Sequence, residues 1–158
     1  MRILGIDPGF DRLGLAVLEG DPSKPVHLWS ECVMPAKGAP EARLSAVFAA
    51  ITDAVRAHSP DGAAIETLFF STNKKTAMGV AEARGAVMAA LGASQIPVFE
   101  FSPQSVKIAV TGYGAAEKAA VAAMIPRLLA LPPKKRLDDE LDAIAVALAG
   151  LPAIHTSK

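Results

Sequence analysis

The apolar pattern of this chain changes period between residues 34 and 40, and that switch restricts the folds open to it. Before the switch come three runs rich in Val, Ile, Leu and Trp: Arg2 to Asp7, Leu13 to Glu19 and Val26 to Met34. Asp-Pro-Gly and Gly-Asp-Pro-Ser separate them, which are turn-forming sequences, so the opening reads as a three-stranded antiparallel meander. From Pro40 to His58, Leu44, Val47, Phe48, Ile51 and Val55 recur at three- and four-residue spacing, as one face of an amphipathic helix requires. Strand and helix then alternate. Gly62 to Ile65 is a short apolar run ending in Glu66, a helical stretch runs from about Lys74 to Leu91, and Val98 to Phe101 forms a fifth strand after Pro97. The remainder, Ser102 to Leu151, is largely helical, with Gly112-Tyr113-Gly114 as its clearest break. An antiparallel opening followed by alternating helix and strand predicts an α/β layer architecture with a mixed five-stranded sheet, in which strand ends and helix starts lie side by side.

The 158 residues, 51% apolar, suffice for one substantial core and fall short of two ordinary domains, so a single domain over residues 1–158 is expected. Gly and Pro are spread along the chain and mark no linker. The apolar start is too short for a signal-peptide core, and the longest nearly uncharged stretch, Ala143 to Ile154, is well below the ~20 residues of a spanning helix. No membrane association and a cytoplasmic location are expected. The lone Cys32 cannot form an intramolecular disulfide and reads as a strand residue.

Lys and Arg together number 16, as do Asp and Glu, which argues weakly against a polyanion partner. Their distribution is more informative. Residues 1–66 carry a balance of −3 and residues 67–158 a balance of +3. Acids committed to divalent cations would make the working surface more positive than the formal count, so neutrality does not exclude DNA.

Four carboxylates stand out. Asp7, before Pro-Gly, is by itself readable as a turn residue. Glu66 sits between Ile65 and Thr67-Leu68-Phe69-Phe70, where an ionised carboxylate needs either a salt-bridge partner or a metal. Asp139 and Asp142 are three apart at the start of a helical stretch and share a face. Acids there also complement the helix dipole, but Asp142 borders the apolar run Ala143 to Leu148 and so lies at the edge of the core. Supplied from a first strand, a fourth strand and a late helix, the four form the dispersed oxygen-donor set that a two-metal phosphodiester-cleaving site needs.

The segments Gly5-Ile6-Asp7-Pro8-Gly9, Ala64-Ile65-Glu66 with Phe69, and Asp139-Glu140-Leu141-Asp142-Ala143-Ile144-Ala145 resemble the signature segments of RuvC resolvases. Ala83-Arg84-Gly85, Pro97 to Phe101, Val106-Lys107 and Ala116-Glu117-Lys118 are similar to that family at corresponding places, so the resemblance covers nearly the whole chain. It implies an RNase H-like fold with helices on both faces of the sheet, and a metal-dependent endonuclease resolving four-way (Holliday) DNA junctions by paired symmetric nicks that leave 5′-phosphates. Asp7, Glu66, Asp139 and Asp142 are then ligands of two Mg²⁺ or Mn²⁺ ions, and Asp138 is a surface or capping residue. Lys107 and Lys118 are implied near the scissile phosphate, and Phe69 or Phe70 at the unpaired crossover bases. Asn73, Lys74 and Lys75, together with Lys134, Lys135 and Arg136, are candidate phosphate contacts that position without specifying. Two matched nicks imply a homodimer, with the helix after residue 74 as a candidate interface. A branch-migration motor of the RuvA and RuvB type is the implied partner complex.

Two other readings compete. Asp7-Pro8-Gly9 followed by Gly14 resembles the first phosphate loop of actin-like ATPases, but no second element of that form follows residue 62. An RNase H-like nuclease acting on another substrate shares the same carboxylates, because one fold hosts many phosphodiester chemistries.

Overall fold

The computed structural model of the chain describes residues 1–67 and 74–156, with residues 74–76 described by their backbone only. Strands β1 (Arg2–Asp7), β2 (Leu13–Asp21) and β3 (Lys24–Val33) lead into helix α1 (Pro40–His58). Then come β4 (Gly62–Glu66), α2 (Lys74–Ala93), β5 (Val98–Phe101), α3 (Pro103–Thr111), α4 (Lys118–Leu128) and α5 (Asp138–Thr156). The sheet order is β3-β2-β1-β4-β5. β1, β2 and β3 pair antiparallel, whereas β4 runs parallel to both β1 and β5, so the mixed sheet and the opening meander are as expected.

β1 lies at the centre, and its residues Ile3 to Ile6 are all buried, as a strand covered on both faces requires. Alternation then sorts the side chains. Leu4, Ile6, Leu13, Leu15, Val17, Ala63 and Ile65 enter one core with Val47, Ile51, Val87 and Leu91 from α1 and α2. Ile3, Ala16, Leu18 and Ala64 enter the other, with residues of α3, α4 and α5. Helices therefore cover both faces.

The register of α1 differs slightly from the spacing-based expectation. Val47, Ile51 and Ala54 are its buried stripe, while Phe48 is 37% exposed. A helix lying on a sheet and one neighbouring helix buries a stripe narrower than its whole apolar arc, and Phe48 falls at the rim. Pro40 opens α1, and Ser59 closes it in the left-handed region (φ 46°), its N–H returning to the Val55 carbonyl. Among the described residues, no helix is long and apolar enough to cross a membrane.

Candidate active site

Ile6 of β1 pairs with Ile65 of β4, so Asp7 and Glu66 end two adjacent parallel strands, whose backbones are about 4.8 Å apart. Ile6 and Ile65 point into the core under α1 and α2. Alternation therefore sends Asp7 and Glu66 to the opposite face, toward α3, α4 and α5.

Two glycines bring the second pair of acids to the first. Gly14 stands opposite Asp7 in the β1–β2 ladder, and a Cβ on it would collide with the Asp139 carbonyl. A Cβ on Gly5 would meet the Ala143 carbonyl and the Ala147 backbone and side chain. With hydrogens at both positions, the first turns of α5 rest directly on β1 and β2. Asp139 and Asp142, three residues apart on that helix, are thus delivered beside Asp7. The loop after Asp7 is held from the other face by Arg43 of α1. Its guanidinium lies 4.3 Å from the Phe10 ring centroid and donates to the Phe10 carbonyl (2.9 Å) and to Asp11 (2.6 Å).

The electrostatics carry the mark of this crowding. The Asp7 carboxyl is pushed up to about 7, first by burial and then by the negative charges of Asp142, Asp139 and Glu66. Burial and Asp142 also raise Glu66, which Lys107 and Lys118 partly oppose. Burial lifts Asp142 as well, despite a 2.6 Å hydrogen bond donated by Lys118 Nζ. For Lys118 burial acts downward, but the bond to Asp142 and the charges of Asp142, Asp138 and Asp7 together outweigh it, and its ammonium is held above the usual lysine range. Lys118 is the first residue of α4, where a positive charge opposes the helix dipole; the facing acids compensate. Lys107 reaches the site from α3, whose start is capped by Ser102 Oγ accepting from Ser105 N–H at 3.0 Å. Glu66, Lys107, Lys118 and Asp142 line one cleft of about 270 Å³.

Four of the six residues expected to carry chemistry therefore line one cleft, and Asp7 lies near enough to Glu66, Asp139, Asp142 and Lys118 to feel their charges. Of the other expected contacts, Phe69, Phe70 and Asn73 lie outside the described residues, as do the side chains of Lys74 and Lys75. Asp138 is exposed in the first turn of α5, as a surface residue should be, and Lys135 is exposed. The expectation for Arg136 needs correcting: its side chain is only 7% exposed and its Nε lies 3.2 Å from the buried Glu140 carboxylate, so it serves the interior rather than an open phosphate surface. Lys134 Nζ also lies on Glu140, at 2.8 Å, but its side chain is 44% exposed. Arg12 had drawn no attention in the sequence, yet its guanidinium lies 3.4 Å from Asp139.

An all-carboxylate donor set, crowded enough to hold one acid near neutrality, suits hard divalent cations. Among the described residues, no three His, Cys, Asp or Glu side chains are already gathered as a closed metal cage. Asp142 is paired with Lys118 and Asp139 with Arg12.

Acids at the tips of two central parallel strands, two more in the opening turns of a facing helix, and lysines alongside define a nuclease of RNase H-like architecture. Within that class, the family model described as crossover junction endodeoxyribonuclease RuvC matches residues 3–150, and the chain belongs to that family. The crossover junction endodeoxyribonuclease RuvC of Thermotoga petrophila is 40% identical over 148 residues, covering 93% of this chain and 90% of its own. The structure of Thermus thermophilus RuvC superposes with a TM-score of 0.86 at 32% identity, over 99% of this chain and 95% of that one. For the T. thermophilus RuvC in complex with Holliday junction substrate the values are 0.90 and 31%, over 99% and 97%.

Proposed function

We propose that this chain resolves four-way DNA junctions by metal-dependent hydrolysis of one phosphodiester in each of two symmetry-related strands. The observation that carries the reading is the meeting of Asp7 and Glu66 with Asp139 and Asp142, two glycine contacts holding the second pair against the first. Belonging to the RuvC family supplies the junction as substrate class. The four carboxylates would hold two Mg²⁺ or Mn²⁺ ions, and metal of that kind supplies a nucleophilic water at neutral pH and stabilises the leaving oxygen. Lys118 pairs with Asp142 in the metal-free chain, and with Asp142 committed to a metal its ammonium would be available to the negative charge that grows on the scissile phosphate. Lys107, from the far wall, orients the same phosphate. Paired nicks require two copies of the site, so the working form is a homodimer. Phe69 and Phe70 are assigned to the opened crossover and a RuvA and RuvB type motor to delivery of the junction, both on family likeness.

The deciding experiment is cleavage of a labelled mobile four-way junction against linear duplex of the same sequence, with Mg²⁺, Mn²⁺ or chelator, for wild type and Glu66→Gln. Symmetric, metal-dependent nicking of the junction alone is expected, lost in the variant while junction binding persists. Equal cutting of duplex, or of an RNA hybrid, would move the enzyme to another substrate class within the same fold.

A further inference from the structure

Glu140 follows Asp139 in the first turn of α5, yet unlike that residue it is buried, at 4% exposure. Ser30 Oγ of β3 donates to its Oε1 at 2.6 Å, and Lys134 and Arg136 stand on the same oxygen at 2.8 and 3.2 Å. Lys134 Nζ also donates to the Ser30 carbonyl at 2.9 Å, and Arg136 Nη1 donates to the Pro132 carbonyl at 3.0 Å. His27 Nε2 lies 2.8 Å from Ser30 Oγ. The serine hydroxyl hydrogen is directed at Glu140, so in the His27 contact the imidazole N–H donates to the serine oxygen; His27 is not placed to take the serine's proton, and the group is not a nucleophilic triad.

What the cluster does follows from helix geometry. Consecutive helical residues project about 100° apart, so Asp139 lies one step before Glu140 and Asp142 two steps beyond it. Gly5 and Gly14 set the height of α5 above the sheet, and its buried apolar residues from Ala143 onward seat the body of the helix. At the helix start, before that apolar stretch, a buried carboxylate facing Ser30 of β3 and the cations of the preceding loop supplies the restraint on how the first turn is turned.

We propose that Glu140 is a positioning residue: with Ser30, Lys134 and Arg136 it fixes the rotation of the first turn of α5, and thereby the aim of Asp139 and Asp142 as metal ligands. This rests on the reading of those two acids as ligands. A buried anion is a costly way to hold a helix end, since an apolar residue of similar volume can serve as well. The hydrogen bond from Ser30, backed by the two cations, adds a directional tie to β3 that apolar packing does not supply.

The test uses Glu140→Gln and the milder Ser30→Ala in the full-length protein. Mn²⁺ binding is measured by calorimetry without DNA, alongside metal-free melting, junction affinity in chelator, and kcat and KM at fixed Mn²⁺. The expected result is a Mn²⁺ dissociation constant raised at least tenfold in Glu140→Gln and severalfold in Ser30→Ala. Loss should fall on kcat, with KM and metal-free junction affinity within twofold of wild type. Lower melting temperatures with unchanged Mn²⁺ affinity would overturn the proposal and leave Glu140 a packing residue. If Glu140→Gln gives no cooperative melt, Ser30→Ala decides by the same criterion. Wild type that binds no Mn²⁺ would instead remove the ligand reading itself, and this inference with it.

Discussion

Asp7 holds a carboxylate where three others already stand, and metal-free protein carries the strain of that arrangement. Its raised value, about 7 against 3.8, means that the folded state keeps a proton the unfolded chain has released. The linkage has one sign: metal-free stability falls as pH rises from about 4 to about 7, and the cost is complete above that window. Asp7→Asn should therefore be more stable than wild type at pH 8 in chelator, by up to about 4 kcal/mol, with the gap closing near pH 4. Thermal melts of both proteins at the two pH values check this, and cleavage by the variant should be absent with either metal. At this scale the sequence disclosed the acids through their setting, since Glu66 and Asp142 border apolar runs. Glu140 was legible too, because it shares the core spacing of Ile144, Ala147 and Leu151, all buried. From the sequence, Asp138, Asp139 and Asp142 received roles and Glu140 none. The burial of Arg136 could not be foreseen, because it depends on which side of α5 faces β3.

Element by element, α5 is the part whose placement matters most, and the hydrogens of Gly5 and Gly14 allow its close approach to the sheet. Gly14→Ala would drive a methyl into the Asp139 carbonyl, and overpacking of this kind costs about 1 to 3 kcal/mol or more. The expected outcome is a lower urea midpoint together with at least a tenfold loss of cleavage under conditions where the variant is fully folded. Gly92→Ala, at an α2 position with open space around its Cβ, is the control and should be neutral or stabilising by about 0.5 kcal/mol. The strands and helices themselves were legible because period-2 and period-3.6 patterns are local. The contacts of Gly5 and Gly14 were not, since a glycine inside a strand reads the same whether a helix or solvent lies above it. Which stripe of α1 is buried escaped for a related reason: the width of the covered arc belongs to the surface beneath, and only Val47, Ile51 and Ala54 fit it fully.

For the whole molecule, one sheet separates two cores, and only one of them adjoins the chemistry. Ile51 belongs to the core under α1 and α2, and Ile144 to the core under α5. Truncating either to Ala should cost roughly 2 to 5 kcal/mol by the usual cavity penalty. Cleavage normalised to the folded fraction, obtained from urea melts, should stay near wild type for Ile51→Ala and drop for Ile144→Ala, whose side chain seats the helix carrying Asp142. The same division sets an order of events during synthesis. Asp7 leaves the ribosome early, whereas Asp139 and Asp142 arrive with the last helix of the fold, which must then dock across strands made long before it. Until α5 docks, Asp7 and Glu66 stand without Asp139 and Asp142, so the four-carboxylate cluster exists only once that long-range contact has formed.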